Sequence, residues 1–179
     1  MKSYAQRQSQ LQEKRAAQDV GGRVQPGSGS TIFAKGDVRV AGKLRLECKT
    51  TSGSSFVLKL KELLKIEREA QDSLEEWAFQ IQFQRQSGMG KKYVVSDLKS
   101  FMQNWEWAAG DKLHVEEFVT ASKQINISLP NLISLHGMAE LKDAALLVEV
   151  MFLGEGMNSG RQFALTTWET YQGVRDPGA

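Results

Sequence analysis

The chain has 179 residues, 41% of them hydrophobic, which is enough for one ordinary domain with a buried core, alone or with an appended unit. Its formal charge of +2 does not by itself call for a polyanionic partner, and one cysteine and two widely separated histidines exclude an internal disulfide and do not suit a zinc cluster. The longest apolar run, AALLVEVMFL, is interrupted by Glu149 and too short for a bilayer, and the first twenty residues are polar; a soluble, cytoplasmic protein of a prokaryotic cell or a phage-infected host is expected.

Residues 4–20 are rich in Gln, Ala and Arg and free of Gly and Pro, which predicts a helix with a thin apolar stripe of Tyr4, Leu11, Ala16 and Val20. GGRVQPGSGS then breaks all regular structure. DVRVAG and KLRLECKTT alternate with period two, so a hairpin turning at Ala41-Gly42 is predicted, with Leu44, Leu46 and Cys48 on one face and Arg45, Glu47 and Lys49 on the other. SSFVLKL reads as a short strand. LKELLKIEREAQ reads as an amphipathic helix with Leu60, Leu63, Leu64 and Ile66 inward. EEWAFQIQFQRQ alternates again, GMGKK reads as a turn, KYVVS as a strand, and DLKSFMQNWEW as a helix that Asp97 can cap. The pattern is an α/β fold with a mixed sheet flanked by helices, complete by about residue 108.

The division expected is therefore a core at 1–108 and a C-terminal α/β extension at 109–179. That extension reads as a degenerate half-repeat of residues 43–101. Shifted by 69, KLRLECKTTSGSSFVLKLKELLKI meets KLHVEEFVTASKQINISLPNLISL without a gap, identical at 6 of 24 positions. At a shift of 70, YVVSDLKSF meets FALTTWETY. Glu47 then corresponds to Glu116, whereas Lys49 corresponds to Phe118, so the second copy lacks the cation. Two unrelated amphipathic strand–helix units could also align this well.

One constellation carries chemistry. Hydrolysis of a phosphodiester needs a hard divalent ion held by carboxylates, and a cation nearby that orients water or offsets charge in the transition state. Asp37, at the start of one strand, can face Glu47 on its hairpin neighbour, and Lys49 shares the face of Glu47. The backbone carbonyl of Cys48 can add a ligand. By spacing alone the same residues describe a solvated hairpin face.

The surrounding motifs bear on that choice. GSGS, KGDV and ECKTT stand in this order behind a helix with an acidic residue. Residues 10–95 thereby resemble the PD-(D/E)XK nuclease superfamily, and within it most of all the Holliday junction resolvases of archaea and phages. Gly36 replaces the proline of the motif's name. The resemblance implies a restriction-endonuclease-like sheet and a magnesium-dependent endonuclease (manganese as substitute) that cuts four-way or branched DNA and leaves a 5′-phosphate. It implies Asp37 and Glu47 as metal ligands, Lys49 as the catalytic lysine, Ser30 beside the scissile phosphate, and Glu13 as a supporting metal or water ligand. It also implies a homodimer, because a four-way junction needs two coordinated nicks. A restriction- or repair-type nuclease, or a non-catalytic DNA-binding protein on the same scaffold, are the alternatives. No membrane and no small-molecule substrate are expected.

DNA contacts are expected from the basic front end, where ten basic residues face four acidic ones over residues 1–49. The candidates are Lys14, Arg15, Arg23, Lys35, Arg39 and Arg45, with Ser28 and Ser30 of the Gly/Ser turn, joined by Lys59 and Lys61. Trp77, Trp105, Trp107 and Trp168 read as core or interface anchors rather than base-stacking platforms.

Overall fold

The computed structural model describes residues 4–25, 37–85, 88–108, 112–154 and 160–175. The elements run α1 (Tyr4–Asp19), β1 (Arg23–Val24), β2 (Val38–Val40), β3 (Leu44–Thr51), β4 (Ser55–Lys59), α2 (Leu60–Gln71), β5 (Glu76–Arg85), β6 (Gly88–Asp97) and α3 (Leu98–Ala108). They continue β7 (Lys112–Thr120), β8 (Gln124–Ser128), α4 (Leu129–Leu141), β9 (Ala144–Phe152), β10 (Arg161–Thr167) and α5 (Trp168–Arg175). The protein is α/β, built on an open, mixed, mostly antiparallel sheet ordered β1-β2-β3-β5-β6-β10-β9-β7. Among the described residues only the β3–β5 and β7–β9 pairs are parallel. No helix among the described residues is long and apolar enough to cross a membrane.

The sheet separates two helical layers, and period-two alternation decides which side chain enters which. Phe79, Ile81 and Phe83 of β5 join Leu63, Ile66 and Ala70 of α2 and Leu132 and Ala139 of α4 in the larger core. On the opposite face, Leu44, Leu46 and Cys48 of β3 pack with Ala16 and Ala17 of α1 and with Trp168 and Tyr171 of α5. The two alanines let α1 lie close on β3. Phe101 and Trp105 of α3, one helical turn apart, stack at 6.0 Å and complete that layer with Val174. Trp77, Trp105 and Trp168 are all core residues; the Trp107 side chain lies outside the described residues.

The stretch GMGKK, read as a turn, belongs to β6 from Gly88 onward. The carbonyl of Phe83 occupies the space a Cβ at Gly90 would need, so glycine lets the strand run close against β5 past a register shift between Phe83 and Arg85. At the other end of β6, Asp97 Oδ1 accepts the Ser100 N–H at 2.7 Å and caps α3.

The elements from β7 to α5 follow those from β3 to α3 one for one. The strand order is a palindrome about the β6–β10 pair, where Val95 faces Leu165, its own counterpart in the alignment. The β4–β8 ribbon is antiparallel about Val57 and Asn126, again counterparts. Leu60 N–H donates to Lys123 O at 3.0 Å, and the reciprocal bond joins Leu129 N–H to Ser54 O at 2.8 Å. Leu74 and Asp143, 69 positions apart, have positive φ of 54° and 51°. A pseudo-two-fold axis therefore relates the halves, and residues 112–175 extend the same sheet. What has no counterpart is α1, β1 and β2: they cover one end of the sheet, whereas β7 ends the sheet at the other.

Candidate functional site

Asp37 stands where β2 begins and the hairpin ladder with β3 runs out. Its N–H donates to Leu46 O at 3.1 Å, its carbonyl accepts from Gln25 N–H at 2.9 Å, and its Oδ2 accepts the Cys48 N–H at 2.8 Å. The carboxylate thus satisfies a backbone donor that no strand reaches, and it is only 9% exposed. Burial, then the neighbouring charge of Glu47, push its pKa up from 3.8 to about 6; Glu13 adds to this, while the Cys48 N–H and Lys49 oppose it.

Glu47 and Lys49 lie two residues apart on the other face of β3 from Leu46 and Cys48, and Lys49 Nζ donates to Glu47 Oε1 at 2.6 Å. Both stay partly open to solvent. Burial on its own would lower the Lys49 pKa, but the Glu47 hydrogen bond and the charges of Glu47, Asp37 and Glu62 outweigh it and raise it, so Lys49 stays cationic. The Cys48 thiol points into the core. Burial, with Asp37, Glu13 and Glu47 around it, raises its pKa well above the ordinary value, so it is no nucleophile at neutral pH.

Glu13 is half-buried on α1, where Oε1 accepts from Ser9 Oγ at 3.1 Å, and its charge reaches Asp37 and Cys48. The residue that seats α1 there is Gln12, 3% exposed. Its Nε2 donates to Lys49 O at 3.0 Å and to Gln80 Oε1 at 3.1 Å, and its Oε1 accepts from Thr50 Oγ1. Sequence reasoning missed Gln12 because it assigned Leu11 to the inward stripe, and Leu11 is 45% exposed. The signal was present, since Gln12 lies one helical turn before Ala16.

Asp37, Glu47, Lys49 and Glu13 thus lie within electrostatic reach of one another at the β2–β3 end of the sheet. Among the described residues no three His, Cys, Asp or Glu side chains converge closely enough to hold a metal ion, so Glu13 does not join Asp37 and Glu47 in a tight triad. Two carboxylates still suit magnesium, which keeps several waters and takes one or two carboxylates with substrate phosphate. Burial, and after it the Glu47 charge, disfavour the ionised Asp37, and a cation there would favour it.

Of the residues expected on DNA, Lys14 and Arg15 are exposed on α1 and Arg23 on β1, while Lys59 and Lys61 flank the start of α2. Arg39, partly exposed, and Arg45, buried, both pair with a carboxylate of this chain. Glu75, whose side chain is fully buried, takes Arg39 Nη2 at 2.7 Å, Arg45 Nε at 2.8 Å and the Gly42 N–H at 2.9 Å. Burial would raise the Glu75 pKa, but these partners lower it. Arg45, only 5% exposed and also bonded to Ser73 Oγ, cannot reach a phosphate; it and Arg39 pin the hairpin to the loop before β5. Ser28, Ser30 and Lys35 lie outside the described residues.

The matching place in the second half carries a different set of side chains. Glu116 occupies the position of Glu47 and lies 3.1 Å from His114 Nε2, while Phe118, in the position of Lys49, packs against the larger core. Among the described residues no β2 counterpart brings a carboxylate to the position of Asp37. A 420 Å³ cleft elsewhere is lined by Glu67, Glu75, Glu76 and Asp97, with Arg175 as its cation, and its net negative charge does not suit a polyanion. Comparison with protein-family models, curated proteins and solved structures returns no match.

Proposed function

We propose that this chain is a magnesium-dependent endonuclease on a restriction-endonuclease-like core, hydrolysing phosphodiester bonds in branched DNA, with the four-way junction as its substrate. One observation carries the reading. A buried carboxylate, Asp37, is held at a strand edge beside the Glu47–Lys49 pair, its pKa raised by burial and by the Glu47 charge, while Lys49 stays cationic. Accepting the Cys48 N–H needs only an oxygen, which a neutral side chain supplies as well, whereas a cation-dependent hydrolase needs the negative charge.

Asp37 and Glu47, with the Cys48 carbonyl on the same strand edge, would hold magnesium, which supplies the positive charge that polarises phosphoryl oxygens. Glu47 keeps the Lys49 ammonium in place. The ammonium then orients the attacking water and offsets charge developing on the phosphoryl group. Water adds to phosphorus as the bond to the 3′ oxygen breaks. The products are a 5′-phosphate and a 3′-hydroxyl: of the water's two protons, one passes through solvent to the departing 3′ oxygen and the other is released. Each chain carries one such constellation among the described residues, so paired incision of a junction would take two chains, which favours a homodimer.

The test is a labelled synthetic four-way junction set against a linear duplex of the same arms, with magnesium and with EDTA. The expected result is paired incision of the junction alone, abolished by EDTA and restored by manganese. Cutting of the duplex at one sequence with the junction spared would point to a restriction-type enzyme. Binding to DNA without cutting would point to the non-catalytic alternative.

A further inference from the structure

We propose that the groove between the start of α2 and the β7–β8 turn is a second DNA-binding site, in which the C-terminal half helps to hold an arm of the substrate. The proposal rests on the nucleic-acid reading of the β3 site and adds to it a contribution from residues 112–175.

The groove is about 570 Å³, with Lys59, Lys61 and Lys123 around a floor that includes Leu60 and Leu64. Lys61 and Lys123 are exposed and Lys59 is partly so. No acidic residue among the described ones lines it. Lys123 comes from the second half, and its backbone is fixed on the first half by the Leu60 N–H to Lys123 O bond of 3.0 Å. Three cations on a rigid frame around an apolar floor fit a sugar–phosphate backbone: the ammonium groups take phosphates, and the leucines take the apolar face of deoxyribose.

The internal symmetry supplies a control for chance. The equivalent place at the start of α4 has the same element order and the reciprocal Leu129 N–H to Ser54 O bond at 2.8 Å. There Ser128, Pro130 and Ser54 stand at the positions of Lys59, Lys61 and Lys123. The fold therefore does not require the lysines. Lys59 and Lys61 lie on the half that carries Asp37, Glu47 and Lys49, Lys123 joins them from the other half, and Glu62, next to Lys61, lies within electrostatic reach of Lys49. A strand leaving the β3 site along the start of α2 meets this groove next.

The experiment is fluorescence anisotropy of a labelled four-way junction against KCl in EDTA, with the full-length parent, Lys123→Ser, Lys61→Ser/Lys123→Ser and Ser54→Glu. These positions are exposed, and matching melting curves confirm that each variant folds. The expected result is affinity about three- to tenfold lower for Lys123→Ser and lower again for the double variant, the salt slope falling by about one unit per lysine, and no change for Ser54→Glu. Parent-like affinity and slope in the double variant would overturn the proposal, as would a parent that does not bind DNA. Lysine-dependent binding by a parent that never cuts would keep the groove and remove the nuclease. Normal cutting and binding by the double variant would do the reverse.

Discussion

Residues 44–108 and 112–175 share one element order, one turn geometry and one set of reciprocal backbone bonds, yet among the described residues only the first, with Asp37 set beside it at the start of β2, presents an aspartate, a glutamate and a lysine together. What the halves share is apolar and backbone-based: the period-two faces of β5 and β9, and the seating of α2 and α4 on the larger core. What separates them is charge. Glu75 becomes Ala144, Arg45 becomes His114, Lys49 becomes Phe118, and Lys59 and Lys61 become Ser128 and Pro130. Because the second half folds without these charges, packing does not account for them in the first. Either a local ion cluster or a ligand does.

The largest stability difference between the halves should come from the ion cluster. Glu75→Ala, which copies the second half at one position, leaves Arg45 buried without its carboxylate and should destabilise the protein by about 3–5 kcal/mol in urea unfolding. The lowered Glu75 pKa fixes the sign with pH: this stabilisation is present above the ordinary carboxylate range and is lost as pH falls through the folded value. A loss under about 1 kcal/mol would mean that Arg45 finds another partner or water.

Asp37 should behave in the opposite sense. Its folded pKa of about 6 lies above the ordinary 3.8, so its ionised form weakens the fold; the penalty is absent below about pH 4 and complete above about pH 7. Asp37→Asn keeps an oxygen for the Cys48 N–H and removes the charge. In EDTA at about pH 7.5 the variant should be the more stable protein by roughly 2–3 kcal/mol, with the margin vanishing near pH 4. Equal stability at both pH values would argue against a strained carboxylate at this edge.

A smaller effect should attend Gln12, which belongs to the α1 segment that the second half lacks. Gln12→Ala removes the partner of Lys49 O, Gln80 and Thr50, and should cost about 1–2 kcal/mol by thermal melting. A neutral result would mean that α1 is seated by Ala16 and Ala17 alone.

Much of this was legible in the sequence because the information was local. Alternation in KLRLECKTT and EEWAFQIQFQRQ, helical spacing in LKELLKIEREAQ, the Asp97 cap and the 69-residue shift all depend on neighbours a few positions apart. The pairing of β6 with β10, the role of Gln12 and the burial of Arg45 against Glu75 join residues 30 or more positions apart, and no periodicity encodes those contacts. The hairpin carboxylate was visible as a residue type at a spacing. Its engagement by the Cys48 N–H was not, because it depends on where β2 stops. Charged residues misled most readily, since an arginine that meets phosphate and one that meets a buried glutamate look alike in a sequence.

The most direct test of the proposed hydrolytic site is single-turnover cleavage of a four-way junction at saturating protein with magnesium, comparing Lys49→Ala with the parent. The account predicts junction binding close to that of the parent and a cleavage rate at least about 100-fold lower. Cleavage by Lys49→Ala at the parent's rate would contradict it.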